Sequence, residues 1–305
     1  MLSALMLALA LPAYAAQQTL ALNWKAETQF GGFYAAQYSK AFERRHLDVN
    51  ITEGGSGTPT VQILAAGRVN YAIVSGDEIA IAHDRGADDV VALFAVYQTN
   101  PQCIMTHAER GFAKIDDVLQ NDGTLLWQAG LPYAQYFRKK YAPIKVRSAP
   151  YLGGIGQFQH DPQTSQQCFI TSEPLTAEKA GIKVKAFLVA DSGYNPYTTV
   201  LATTRNYLQQ HPDEVRAMVA AVREGWSNYL KDPAATNVQM ATLNKAVSLD
   251  NLNAGAKAQQ SLIQATPNGK LGAMTTARWQ QLVEQLQQLG VIHKPVAADK
   301  LFVDL

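Results

Sequence analysis

The sequence lacks the short signatures that place chemistry on a chain. It has no G-x-S-x-G, because GGSGT breaks that pattern at Thr58, and no H-E-x-x-H, P-loop or G-x-G-x-x-G. The histidines His46, His83, His107, His160, His211 and His293 show no metal-ligand spacing, so no metal is expected. Catalysis therefore has no foothold in the motifs. Basic clusters are also missing: Arg138, Lys139 and Lys140 form the densest group, which reads as a solvated helix face and gives no reason to expect nucleic acid. There is no repeat, low-complexity linker or Gly/Ser tether, so two lobes, if present, must join through ordered strands. Beyond the N-terminus no apolar run is long enough to span a bilayer.

The cysteines are only Cys103 and Cys168. Neither stands directly after the apolar N-terminal run, which ends in Ala13-Tyr14-Ala15, an A-x-A site expected to be cut before Ala16. Residues 1–16 are thus expected to be a cleaved signal peptide and the mature chain a soluble periplasmic protein without a lipid anchor. No lysine or arginine precedes the apolar core, as a secretory signal ordinarily has. In an oxidising compartment Cys103 and Cys168 could form a disulfide or remain buried free thiols; both readings stand.

What is present is an α/β alternation. At 305 residues, 47% hydrophobic and 17% charged with a net charge of +1, the chain is long enough for two lobes with ordinary soluble composition. Strands are expected at 19–24, 49–52, 71–75 and 90–97, the later ones nearly all apolar as strands covered on both faces are. Helices are expected between them, Ser75 and Glu78 forming a capping box. A second alternating set follows (QCIMTH, GTLLWQ, KVRSAPY, QQCFITS, KVKAFLVA), then TTVLATT, then a largely helical remainder. In that remainder Val215, Met218, Val219, Val222, Trp226 and Tyr229 share one helix face; Trp279, Leu282, Val283, Leu286 and Leu289 share another. Both stripes read as core.

In open α/β sheets ligands sit beyond the carboxyl ends of the strands. That rule collects the loops carrying Trp24, Gln29, Phe30 and Tyr34, then Ser56, then Ser75 and Asp77, then Gln98. The second set adds Trp127, Tyr151, Glu173 and Tyr194. Gly31-Gly32 and Gly54-Gly55 could let backbone approach a ligand, or simply make turns. Flat rings with acidic and amide acceptors suit a neutral or amine-bearing ring better than an anion, which would call for arginine. Trp24 could instead pack at a strand end, and Glu173 could be an ordinary helix N-terminal residue.

The segment Trp24-Lys25-Ala26-Glu27-Thr28-Gln29-Phe30-Gly31-Gly32-Phe33-Tyr34 resembles the W-x-P-E-P-x-H-G-G-F-Y of ABC-importer binding proteins for the pyrimidine precursor of thiamine. Ser172-Glu173-Pro174 and the helix HPDEVRAMVAAVREGW resemble that family too, whose relatives bind riboflavin, sulfonates, taurine and nitrate. The resemblance spans the mature chain. It implies a type II periplasmic-binding-protein fold with two α/β lobes joined by two crossing strands, lobe 1 at 17–99 and 201–305, lobe 2 at 100–200. It implies a monomer that takes a small-molecule ligand and hands it to a permease and ATPase in the inner membrane, with Trp24 stacking on the ligand and Glu173 accepting from ring substituents. Phe30 and Ala26 replace the family's histidine and proline, turning one polar contact into an apolar face that suits a more apolar or flavin-like ring. Enzymes of pyrimidine synthesis on the same scaffold carry a cysteine-rich motif that this chain does not have, so no catalytic residue and no cofactor is expected.

Overall fold

The computed structural model describes residues 16–55, 57–264, 266 and 269–305. The expected signal segment therefore lies, apart from Ala16, outside the described residues, and so does Ser56. Among the described residues, ten strands form two five-stranded mixed sheets. In the first, β1 (Gln18–Ala21), β2 (Val49–Thr52), β3 (Tyr71–Val74), β4 (Val90–Tyr97) and β10 (Thr198–Thr204) lie in the order β2-β1-β3-β10-β4. β1, β2 and β3 run parallel, and β10 enters antiparallel between β3 and β4. In the second, β5 (Gln102–His107), β6 (Thr124–Trp127), β7 (Arg147–Pro150), β8 (Thr164–Phe169) and β9 (Val184–Leu188) lie in the order β7-β6-β8-β5-β9.

The burial of these strands follows their composition. Every residue of β3 and β4 is buried: β3 lies inside the first sheet, and β4, although at its end, has its free edge bridged by Gly272 and Phe302. Edge strands β2 and β7 are mixed or exposed. Tyr97 ends the first sheet and Gln102 begins the second, so one crossing is residues 98–101; the chain returns through residues 189–197. The lobe boundary expected at residue 200 falls inside β10, which starts at Thr198 opposite Tyr97. The crossings are tied to each other: the Asn100 N–H donates to Asn195 Oδ1 at 2.8 Å, and Arg278 donates to the Asn195 carbonyl while lying 4.0 Å over the Tyr197 ring.

The helical stripes are core. Val215, Met218, Val219, Val222, Trp226 and Tyr229 of the helix Pro212–Lys231 are all buried, as are Trp279, Leu282, Val283 and Leu286 of Thr276–Gln288. Thr275 caps the latter through its side chain, and the Ser75/Glu78 capping box is formed. The Gly31-Gly32 pair has a packing role. A Cβ on Gly31 would stand 2.1 Å from the Tyr229 ring, and one on Gly32 would stand 2.2 Å from the Trp226 ring. Those glycines let the helix Gly31–Tyr38 lie against Pro212–Lys231, so the backbone they bring close is a helix and not a ligand. Cys103 and Cys168 face each other in register on β5 and β8 and are joined by a disulfide.

Candidate functional site

A cleft of about 410 Å³ opens between the two sheets. Its walls are the segments that follow the carboxyl ends of β1, β2 and β3 on one side and of β6, β7 and β8 on the other, as parallel strands require. Six expected residues line it: Trp24, Gln29, Phe30, Ser75, Tyr151 and Glu173. Glu27, Glu78, Tyr133, Phe169, Thr198 and Thr199 join them.

On the first lobe β1 stops at Ala21, three residues before the expected end, and the chain turns so that Trp24 faces the cleft. The indole Nε1 donates to Glu27 Oε1 at 3.0 Å, which fixes both side chains. Glu27 Oε2 accepts from Gln29 Nε2 at 3.5 Å and, across the cleft, from Ser172 Oγ at 3.3 Å. Burial pushes the Glu27 carboxyl up to about 7, and the nearby Glu173 charge adds to the rise against these hydrogen bonds.

On the second lobe Glu173 opens the helix Glu173–Lys179. Its Oε1 accepts from the Tyr151 hydroxyl at 2.6 Å and its Oε2 from the Phe169 N–H at 2.8 Å. Burial raises its pKa, and those two donors oppose the rise. Glu173 thus occupies a helix start and a cleft wall at once, so the two readings of it are compatible. Tyr133 is fixed by its hydroxyl on Gln167 Oε1 at 3.2 Å.

Five expected residues do not line the cleft, each for an identifiable reason. Trp127 ends β6 with its ring turned into the core, 2% exposed, its Nε1 donating to Ser148 Oγ at 2.5 Å. Tyr34 lies on the buried face of its helix, stacked on Tyr38. Gln98 donates to the Ala273 carbonyl at 3.0 Å. Asp77 and Tyr194 satisfy each other at 2.8 Å, so they brace the return crossing against the first lobe. Strand-end position alone does not tell which way a side chain faces, since successive residues point to opposite faces.

The residues that sequence reasoning left out of the site are informative. Glu27 was visible as a loop-tip acid, but its place against Trp24 depends on the turn after Ala21. Thr198 and Thr199 sit at the start of β10 with no motif to flag them. Thr199 has φ 52°, the left-handed region that a β-branched residue rarely takes, and such strain concentrates at functional sites. Among the described residues no lysine, arginine or histidine lines the cleft, and no cluster of three or more His, Cys, Asp or Glu side chains could hold a metal.

Fold and cleft together define a two-lobed periplasmic-binding-protein scaffold. The profile of the NMT1/THI5-like family matches residues 27–119 and 165–236, a little over half of the chain, and the chain belongs to that family. No curated protein matches it by sequence. The alkanesulfonate-binding protein SsuA of Xanthomonas axonopodis pv. citri, solved bound to MOPS, superposes with a TM-score of 0.71 at 11% identity, over 96% of this chain and 100% of its own. The CA3427 gene product of Candida albicans, described as having the generic periplasmic binding protein fold, superposes at 0.66 with 13% identity over 95% and 97%. The desulfurization enzyme DSZB superposes at 0.61 with 13% identity over 94% and 96%. At these identities the likeness is one of fold. No helix among the described residues is long and apolar enough to cross a membrane.

Proposed function

We propose that the chain is a periplasmic solute-binding protein that captures a small flat nitrogen heterocycle between its lobes and delivers it to an ABC permease and ATPase. The observation that carries this reading is that Glu27 and Glu173, from opposite lobes, line one cleft walled by Trp24, Phe30, Tyr133, Tyr151 and Phe169 and lie near enough for the charge of Glu173 to raise the Glu27 carboxyl. Rings of that kind stack on a planar ligand, and carboxylates accept from its N–H groups. Lobe closure removes water and strengthens each such contact. Pyrimidines of the thiamine-precursor type have the required shape and donors, and Phe30 leaves room for a more apolar ring.

A sulfonate or nitrate suits the cleft less well, because its charge would face Glu27, Glu78 and Glu173 with no cation among the described lining residues. Capture without chemistry is the reading, since both acids of the pair are held by hydrogen bonds, Glu27 by Trp24, Gln29 and Ser172 and Glu173 by Tyr151 and the Phe169 N–H. Calorimetric titration against aminopyrimidines, thiamine, riboflavin and alkylsulfonates tests it. Flat N–H donors are expected to bind with one-to-one stoichiometry and alkylsulfonates not to bind. Binding of alkylsulfonates alone, or a new product by chromatography after incubation, would overturn it.

A further inference from the structure

The lining of the cleft is one-sided in charge and in hydrogen bonding. Glu27, Glu78 and Glu173 line it, with no lysine, arginine or histidine among the described residues. Two further lining residues carry a buried oxygen without a partner. Gln29, 5% exposed, uses its amide nitrogen on Glu27, and its Oε1 has no partner; Thr198, 3% exposed, has an unpartnered Oγ1. A buried polar atom left unpaired is unfavourable, and a ligand donating to it would recover that cost.

We propose that the cleft takes its ligand as a flat monocation of the amidinium type, seated between Glu27 and Glu173, and that the empty cleft holds one proton on that carboxyl pair instead. The inference rests on the capture reading above and adds the ligand's charge. Two carboxylates facing each other in a partly buried site resist double ionisation, and Glu27, pushed up to about 7, is the member that takes up a proton near neutrality. The other groups that face the pair supply no positive charge. The hydroxyls of Tyr97, Tyr133 and Tyr151 are lifted far above neutral pH by burial and stay uncharged, Glu78 is itself raised by burial, and Glu53 accepts from the Ala26 N–H. A cation entering this site releases the proton it replaces. Binding therefore tightens as pH rises toward about 7 and levels above it.

The test is calorimetry on the whole mature chain with benzamidine, a cation from about pH 5 to 9, and benzamide, its neutral isostere. Benzamidine is expected to bind at least about tenfold more tightly at pH 8. Its affinity should fall by up to about tenfold per pH unit on going below pH 6.5, as release of about one proton requires. Repeating the titration in buffers of different ionisation heat counts that proton directly on the unmutated protein. Glu27→Gln, with its fold checked by circular dichroism, should flatten the pH slope. Equal affinity for benzamide, a flat slope, no proton release or no binding of benzamidine would each overturn the inference. If benzamidine fails while a neutral flat donor such as uracil binds, the charge assignment falls and the capture reading stands. If no flat donor binds, charged or neutral, the capture reading falls with it.

Discussion

Trp24, Glu27 and Glu173 form one unit at the scale of single residues, because Trp24 donates to Glu27 and Ser172, next to Glu173, reaches the same carboxylate. Trp24→Ala removes a stacking face and is expected to weaken ligand binding by about 1–3 kcal/mol; unchanged affinity by calorimetry would remove the ring from the site. Glu173→Gln is expected to cost roughly 1.5–3 kcal/mol of binding through loss of a charged acceptor. Glu27 makes a separate prediction for the unliganded protein. Its folded pKa of about 7 lies above its ordinary 4.5, so the stability it contributes is full below about 4.5 and is lost as pH rises through about 7. Glu27→Gln, which cannot ionise, is therefore expected to be more stable than the parent at pH 8, by on the order of 2 kcal/mol, with the gap closing toward pH 4.5. Urea denaturation at the two pH values measures this, and a gap that widens at low pH would contradict the assignment.

Elements were largely legible in the sequence, and the side chains that face the cleft were legible only in part. β2, β4, β5 and β10 match their expected spans, since apolar, β-branched runs bounded by turns leave few alternatives. β1 ends early because Leu22 through Ala26 form the turn that brings Trp24 into the cleft. The Gly31-Gly32 pair illustrates what local reading misses: its cause is the Trp226 and Tyr229 rings, almost two hundred residues away in the chain. Gly32→Ala is accordingly expected to destabilise the fold by about 1–3 kcal/mol by overpacking, with m-value unchanged. Trp127 is turned away from the cleft lining, its ring buried and its Nε1 held by Ser148. The disulfide joins adjacent strands β5 and β8 across 65 residues of sequence, and Cys168 also lines the cleft. Replacing both cysteines by alanine is expected to cost about 2–4 kcal/mol of stability.

For the whole molecule, side chains of the two lobes meet beside the cleft in this structure. Asn251 Nδ2 donates to Thr176 Oγ1 at 3.1 Å, and Lys179 meets Asp250 at 3.2 Å, both beside the Ser172–Glu27 contact. The Lys179–Asp250 pair is exposed, so Asp250→Ala is expected to shift affinity by less than about 0.5 kcal/mol; a tenfold loss would make it a latch. The hinge is better defended, with Asn100 bonded to Asn195 and Asp77 to Tyr194. The claim on which the rest depends is that the cleft recognises a flat N–H donor between aromatic faces and facing carboxylates. A crystal structure with a bound aminopyrimidine tests this most directly. The account predicts the ring against Trp24 with its N–H groups on Glu27 and Glu173; a ligand bound elsewhere, or with both carboxylates turned away from it, would contradict it.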